Sequence, residues 1–172
     1  MRDLLPKVLL CWITLFQACR SLGPEDVIRD STAPVQTTEL TFQLGDDGTA
    51  YVLEIPWHLA NVRSQSIFHD ECGSRLEKKR GGSWVFAYAF PCPLSGIDTV
   101  TPGAMFVGTF RIHACHLQNC SPRLEVETIP GIYRIVVGLY GSATVVAGSV
   151  ILADSLATNA RRSNAFWLSP PR

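Results

Sequence analysis

Four cysteines are the residues whose chemistry can be anticipated first. Cys72, Cys92, Cys115 and Cys120 follow an N-terminal segment that has the features of a secretory signal. An even set of cysteines in an exported chain is typical of a disulfide framework, because the oxidising secretory pathway forms such bonds and preserves them. We therefore predict disulfide bonds among these four residues.

Zinc binding is the alternative chemistry for the second half of this set. His113, Cys115 and His116 crowd into four positions, and Cys120 follows closely. Structural zinc sites usually separate two ligand pairs by a spacer, and successive side chains on a strand point to opposite faces. We therefore expect no bound metal or other cofactor.

Nucleophilic catalysis has no recognisable motif in this sequence. The chain lacks a Gly-x-Ser-x-Gly elbow. Its four histidines, His58, His69, His113 and His116, are explained more simply as surface or structural residues. Acid and base groups can also assemble from distant positions, but with no site in view we predict that the chain is not an enzyme.

The first 22 residues predict a signal peptide. Arg2 and Lys7 form a basic region before a short apolar core, Val8 to Phe16, which is too short to cross a bilayer core of about 30 Å. A buried N-terminal helix is the alternative interpretation. Cleavage after this segment would remove the two cysteines that it contains.

Charge and hydropathy argue against nucleic-acid binding and against a transmembrane helix. The 15 basic and 15 acidic residues balance, so no basic field for nucleic acid is present. The most apolar late stretch, Ala143 to Ala153, is far shorter than the ~20 residues of a spanning helix. We expect an exported chain with no membrane span of its own.

Two further motifs allow a structural and a functional interpretation. The basic run Arg75 to Gly82 is interpreted as a solvated loop, or else as a convertase site or a contact for anionic lipid or glycan. Asn119-Cys120-Ser121 fits the glycosylation sequon, although Pro122 follows it directly. Asn119 is thus a possible glycosylation site.

The elements that position these residues are predicted to be strands. Thr38 to Leu44 alternates polar and apolar residues, the turn Gly45 to Gly48 follows, and Thr49 to Ile55 completes a hairpin. Further strands are predicted at 83–90, 104–113, 123–128, 132–140 and 143–152, with a tight turn at Gly141-Ser142. Short strands separated by turns favour an all-β, disulfide-stabilised two-sheet sandwich of immunoglobulin or fibronectin type.

The predicted organisation is a single domain with a short lead and a tail. The segments are a signal peptide (1–22), an N-terminal lead (23–36), a β-sandwich domain (37–153) and a polar C-terminal tail (154–172). A domain of this size is long enough to bury a core of its own.

Several short motifs, taken in order, resemble the ectodomains of uroplakin III type over roughly residues 40–163. They are Ala89 to Asp98 with its Pro91-Cys92 step, Phe110-Arg111-Ile112, the close pair Cys115 and Cys120, and Pro130 to Ile135. The order of the four cysteines, one alone, one after proline and then a close pair, agrees with that family as well.

The resemblance implies a β-rich luminal domain of a urothelial membrane glycoprotein that pairs with a tetraspanin uroplakin. Arg161-Arg162-Ser163 is similar to the family's juxtamembrane sequence, yet the residues from Asn164 to Arg172 do not begin a membrane helix. We therefore expect a relative without the transmembrane anchor. It would be secreted, or held at the apical plasma membrane through its partner.

The predicted function is that of an extracellular or luminal binding or structural domain, with a membrane protein of tetraspanin type as partner. The alternative is a secreted ligand or decoy with no membrane role. Four cysteines permit three connectivities, of which we expect Cys115–Cys120 and Cys72–Cys92. Exposed aromatic residues mark binding faces, but Trp57, Trp84, Tyr88 and Tyr133 are equally compatible with a core.

Overall fold

Thirteen strands and three short 3-10 turns make up the described part of the chain. The computed structural model describes residues 23–89, 91–92, 96–116 and 120–172; the predicted signal peptide, residues 1–22, lies outside them. The strands are β1 (Val35–Thr37), β2 (Thr41–Gln43), β3 (Gly45–Asp46), β4 (Ala50–Ala60), β5 (Ile67–Asp70), β6 (Arg75–Arg80), β7 (Ser83–Tyr88), β8 (Ile97–Val100), β9 (Met105–Cys115), β10 (Gly131–Val136), β11 (Leu139–Val146), β12 (Ser149–Ser155) and β13 (Phe166–Ser169). The 3-10 turns are Pro24–Asp26, Glu71–Gly73 and Thr158–Ala160.

Sheet A is built around the long strand β4. Strand β1 pairs with β4 at Trp57–Leu59, and β3 pairs with it at Tyr51–Val52. Strand β9 runs antiparallel to β4 along its whole length, from Ala50↔Cys115 to Ala60↔Met105. Ile55, Trp57 and Leu59 of β4 are buried, and the residues between them point outward, as the two-residue period of a strand requires.

Sheet B has the order β2-β13-β10-β6-β7 and mixes strand directions. Strand β13 runs parallel to β2 and antiparallel to β10. Sheet C has the order β12-β11-β5-β8 and is antiparallel throughout. The strands therefore fall into three hydrogen-bonded sheets.

A single hydrophobic cluster joins the three sheets. Each sheet contributes side chains that are nearly or completely inaccessible to solvent, among them Val35 and Ile55 (sheet A), Leu76 and Phe166 (sheet B), and Ile67 and Leu139 (sheet C). Together with two disulfide bonds, this core confirms the predicted disulfide-stabilised, all-β sandwich, with three hydrogen-bonded sheets where two were predicted.

The last two predicted strands, 132–140 and 143–152, have different boundaries in the structure. The predicted strand 132–140 is split between β10 and β11 at Gly138, where an added Cβ would lie 2.2 Å from the carbonyl oxygen of Asp70. The predicted turn at Gly141-Ser142 is wrong, because both residues lie inside β11. The turn lies instead at Ala147-Gly148, where both residues have positive φ.

Two segments interpreted as loop or tail form strands in sheet B. The basic run is β6, not a solvated loop, because Leu76 enters the core and the charged residues lie beside it. The segment predicted as a polar tail contains β13, whose Phe166 and Leu168 are completely buried. Conversely, residues 123–128, predicted as a strand, form no strand.

The helical content is limited to the short 3-10 turns in the part of the chain described. Among those residues, no helix has the length and apolar character needed to cross a membrane.

Candidate interaction surface

Both cysteine pairs expected from the sequence are disulfide-bonded. Cys72 is bonded to Cys92 with a Cα–Cα distance of 5.3 Å, and Cys115 to Cys120 with a Cα–Cα distance of 6.0 Å. Cys72 lies in the 3-10 turn that follows β5 of sheet C, and Cys92 follows β7 of sheet B. The first disulfide therefore joins the β5–β6 and β7–β8 connections, both of which link sheet B and sheet C.

The second disulfide closes a local loop at the end of β9. The backbone N–H of Cys115 donates to the carbonyl oxygen of Pro122 at 2.8 Å, which holds the two ends of this loop together. Asn119, the possible glycosylation site, lies outside the described residues. Its occupancy stays a prediction.

The histidines beside this disulfide contact two acidic residues, Asp46 at the end of β3 and Asp47 in the turn that follows. His113 Nε2 lies 3.7 Å from Asp47, and His116 Nε2 lies 3.5 Å from Asp46. Both cysteine sulfurs of the candidate zinc set are consumed in the disulfide. In the described ranges, no group of three or more His, Cys, Asp or Glu residues could hold a metal ion.

Asp47 organises the β3–β4 turn. Its carboxylate accepts hydrogen bonds from the backbone N–H groups of Thr49 and Ala50 and from the Thr49 hydroxyl. These bonds, led by the one from the Thr49 backbone, lower the pKa of Asp47 to about 2. The turn beside the two histidines is thereby fixed by a carboxylate that remains charged at physiological pH.

The other two histidines lie on β4 and β5. His69 is buried between the rings of Trp57 and Phe106, and its Nδ1 lies 3.2 Å from Asp98. His58 lies opposite Val107 in the β4–β9 register.

One of the four candidate aromatic residues reaches the surface. Trp57, Tyr88 and Tyr133 are buried in the core. Trp84 lies at the surface of sheet B, where the Arg134 guanidinium stacks 4.3 Å from its ring centroid.

Most of the β11–β12 hairpin does not pack into the hydrophobic core or pair with the rest of sheet C. Strand β11 pairs with β5 only at Leu139 and Tyr140, near its start. From Ser142↔Ala153 to Val146↔Ser149, the two strands pair with each other and with no other described strand. The hairpin therefore extends beyond sheet C as a two-stranded ribbon.

This ribbon is apolar and without charge. No charged residue occurs from Gly141 to Ala153. Four of its aliphatic side chains are about half exposed or more: Val145 (71%), Val146 (49%), Val150 (46%) and Ile151 (51%).

One face of the ribbon is entirely aliphatic. Cross-strand partners share a face, and the register pairs Ala143 with Leu152 and Val145 with Val150. The opposite face mixes small polar residues with Val146 and Ile151. We define the first four residues, Ala143, Val145, Val150 and Leu152, as the hairpin face.

Such a ribbon is costly to maintain in water without a partner. An isolated two-stranded hairpin is marginally stable, and contiguous exposed apolar patches mark sites of association. Charged side chains usually protect exposed edge strands from undesired association, and this hairpin has none between Gly141 and Ala153. The hairpin face is therefore the candidate interaction surface, and its signal in the sequence is the uncharged run from Gly141 to Ala153.

Comparisons with known proteins do not identify a family for this chain. The sequence matches no family profile and no curated protein at a significant level. One similar solved structure is the alkylpurine DNA glycosylase AlkC of Pseudomonas fluorescens, bound to DNA containing an abasic site analogue, with 11% sequence identity and a TM-score of 0.31. The similarity covers 80% of this chain and 31% of the glycosylase chain.

This neighbour corrects one sequence-based prediction. The glycosylase is an enzyme, which contradicts the prediction that the chain is not one, and that prediction is withdrawn. A TM-score of 0.31 carries no argument for a particular activity, so the glycosylase assigns none to this chain.

Proposed function

We propose that this chain is an extracellular or luminal binding domain that associates with a membrane protein of tetraspanin type through the hairpin face. The observation that carries the proposal is the projecting β11–β12 ribbon with its exposed, uncharged aliphatic side chains. The choice of partner rests on the resemblance to uroplakin III-type ectodomains.

The disulfides support the compartment in this proposal. Two cysteine pairs are bonded, and such bonds form and persist in oxidising environments such as the secretory pathway and the cell exterior. A domain exposed there contacts other extracellular proteins or the luminal parts of membrane proteins.

The chemistry of the ribbon supports an apolar protein partner. With no charge between Gly141 and Ala153, the hairpin offers no contact to an acidic or basic ligand. Its strand edges still carry backbone N–H and C=O groups, which lipid hydrocarbon leaves unsatisfied. A protein surface can cover the apolar face with apolar side chains and can also satisfy the backbone groups at the strand edges with hydrogen bonds.

The test is to follow the tagged chain in mammalian cells, alone and together with a tetraspanin uroplakin, in medium and membrane fractions. The hairpin variant is Val145→Thr with Val150→Thr, which keeps β-branched side chains and adds two hydroxyls to the hairpin face. The matched control is Val62→Thr with Val107→Thr, because these valines are 90% and 69% exposed elsewhere on the surface.

We expect the tagged chain to be retained in membranes only when the tetraspanin is present. The hairpin variant should lose this retention, and the control variant should keep it. Equal retention of both variants would overturn the hairpin face as the contact. Release into the medium with and without the tetraspanin would overturn the partner and favour a secreted ligand or decoy.

A further inference from the structure

The outer face of sheet B gathers positive charge around one carboxylate. Arg75, Glu77 and Lys79 alternate along β6, so their side chains share the face opposite to buried Leu76. Arg134 of β10 is paired with Glu77 in the strand register. On the described part of this face, three cations therefore surround a single acidic group.

The acidic group is already occupied. Glu77 Oε2 accepts hydrogen bonds from Arg134 Nε at 2.8 Å and Nη2 at 2.6 Å, and Glu77 Oε1 accepts from Arg75 Nε at 2.8 Å. One carboxylate thus balances two guanidinium groups, and the exposed Lys79 adds a further positive charge. The face carries an excess of positive charge that the described residues do not neutralise.

A third arginine lies beside this cluster. The Arg161 carbonyl accepts from the Val137 N–H at 2.9 Å, one residue beyond the position where Val136 pairs with Arg75. Its Nε is buried and has no hydrogen-bond acceptor among the described residues. Burial and the charge of Arg75 lower the pKa of Arg161. This side chain therefore has an unused donor next to the excess positive charge.

Aromatic side chains border the cations. Trp84 and Phe86 lie on β7 opposite Lys79 and Glu77 in the register. Trp84 stacks on Arg134, and Phe86 is 48% exposed. Arginine and tryptophan are enriched among the residues that dominate the affinity of protein interfaces.

We propose that this basic aromatic face, formed by Arg75, Lys79, Trp84, Phe86 and Arg134, binds an acidic segment of a partner protein. Charge complementarity identifies the occupant, since arginine clusters recognise acidic motifs through charge-assisted, often bidentate hydrogen bonds. Trp84 and Phe86 provide contact area for apolar side chains of the same segment. The face lies on sheet B and the hairpin on sheet C, so this inference does not depend on the proposed function.

The test measures binding of a fluorescent, glutamate-rich peptide that also contains phenylalanine, by anisotropy at low and at physiological salt. The matched peptide carries glutamine at every glutamate, and heparin serves as a sulfated polysaccharide competitor. The variants are Lys79→Glu and Phe86→Ala, both at exposed positions of the face. Their controls are Arg63→Glu, also a charge reversal, and Met105→Ala, also the truncation of a large apolar side chain, both at exposed positions elsewhere.

We expect the glutamate peptide to bind, the glutamine peptide to bind far more weakly, and Lys79→Glu to weaken binding about tenfold, the effect of reversing one close charge contact. Phe86→Ala should also weaken binding, and salt should reduce it. The proposal is overturned by equal binding of both peptides, by equal losses in the control variants, by no binding of the glutamate peptide, or by binding of heparin in its place. Circular dichroism of each variant separates loss of binding from loss of fold.

Discussion

Glu77 is a carboxylate whose ionisation contributes to the stability of sheet B. Burial by itself raises the pKa of Glu77, but hydrogen bonds and charge from Arg134 and Arg75 outweigh it and leave the pKa below its usual value of 4.5. Only 9% of its side chain is accessible, so solvent screens these contacts weakly. Its removal would leave two arginines without their counter-charge.

The first prediction concerns the substitution Glu77→Gln. We expect it to lower the free energy of unfolding by about 3 kcal/mol, because loss of one partner from a buried ion pair leaves the other charge uncompensated. Urea denaturation measures this change. Glu127→Gln is the control, since Glu127 is 86% exposed and pairs with Arg80 at 3.6 Å, and an exposed pair contributes about 1 kcal/mol or less. Equal effects of the two substitutions would contradict the role of Glu77.

The second prediction concerns the pH dependence of the same residue. A carboxyl group with a lowered pKa in the folded state stabilises that state above the unfolded pKa, and this contribution is lost as the pH falls through the folded pKa. We expect the stability difference between the wild type and Glu77→Gln to be full near neutral pH and to shrink below about pH 4.5. Urea denaturation across this range measures it. A difference that stays constant down to acidic pH would show that ionisation of Glu77 contributes nothing.

At the scale of elements, the β11–β12 hairpin combines an exposed ribbon with an unfavourable turn. Ala147 has a φ of +50° and Gly148 of +81°, as a two-residue hairpin turn requires. A residue with a Cβ pays a steric cost in this left-handed region. The ribbon therefore depends on the pairing of its strands and on whatever covers the hairpin face.

The third prediction is that Ala147→Gly stabilises the hairpin. We expect a gain of roughly 0.5 to 1 kcal/mol, because relief of the positive φ exceeds the entropy that glycine adds to the unfolded chain. Slower hydrogen exchange of the amides in residues 144–151 is the measurement. Ala143→Gly is the control, since Ala143 lies in extended β11, where glycine weakens a strand. Faster exchange in Ala147→Gly than in the wild type would contradict the turn geometry.

Strand β13 shows why residues 166–169 belong to the fold. It lies between β2 and β10, and β2 pairs with no other strand in the described part of the chain. Phe166 and Leu168 are completely buried, and burial of each such side chain stabilises by about 1.5 to 3 kcal/mol. Sheet B therefore depends on residues that are distant in sequence from its other strands.

The fourth prediction is that deletion of residues 166–172 prevents folding. The expected loss for the two side chains is a large fraction of the 5 to 15 kcal/mol typical of a domain, and β2 loses its pairing. Deletion of residues 170–172 is the control, because it leaves β13 intact. Circular dichroism and thermal unfolding distinguish the two. A cooperative transition near that of the wild type in the longer deletion would contradict the role of β13.

At the scale of the whole molecule, the two disulfides constrain the unfolded chain to different extents. Cys72–Cys92 closes a loop with a sequence separation of 20 and joins the β5–β6 connection to the β7–β8 connection. Cys115–Cys120 has a separation of 5 and remains local to the end of β9. In the chain-entropy account, the stabilisation grows with the length of the loop.

The fifth prediction compares removal of each disulfide by paired Cys→Ser substitution. Loss of Cys72–Cys92 should cost about 3 kcal/mol and loss of Cys115–Cys120 about 2 kcal/mol, as loop closure predicts. Thermal unfolding of the two double variants measures the order, and each serves as the control for the other. A larger loss from the short loop would show that local contacts at β9 outweigh the entropy of the unfolded chain.

The sequence by itself determined the class of fold and the disulfide chemistry. Alternation in segments such as Thr38 to Leu44 reports which residues can share a buried face, and this is local information. It does not report the pairing partner: the predicted hairpin of this segment with Thr49 to Ile55 is wrong, because β2 pairs with β13. The close spacing of Cys115 and Cys120 likewise made their pairing foreseeable. Periodicity and cysteine spacing can be read from the sequence because they depend only on residues that are close along the chain.

Only the tertiary structure decided which apolar or charged segments are covered. The run around Lys78 resembles a solvated loop in sequence, yet Lys78 is buried and its Nζ donates to the Thr128 carbonyl. The residues near Val145 resemble any strand, yet no described strand covers the end of the hairpin. Burial depends on which distant elements pack on a segment, and the sequence of that segment alone does not contain this information.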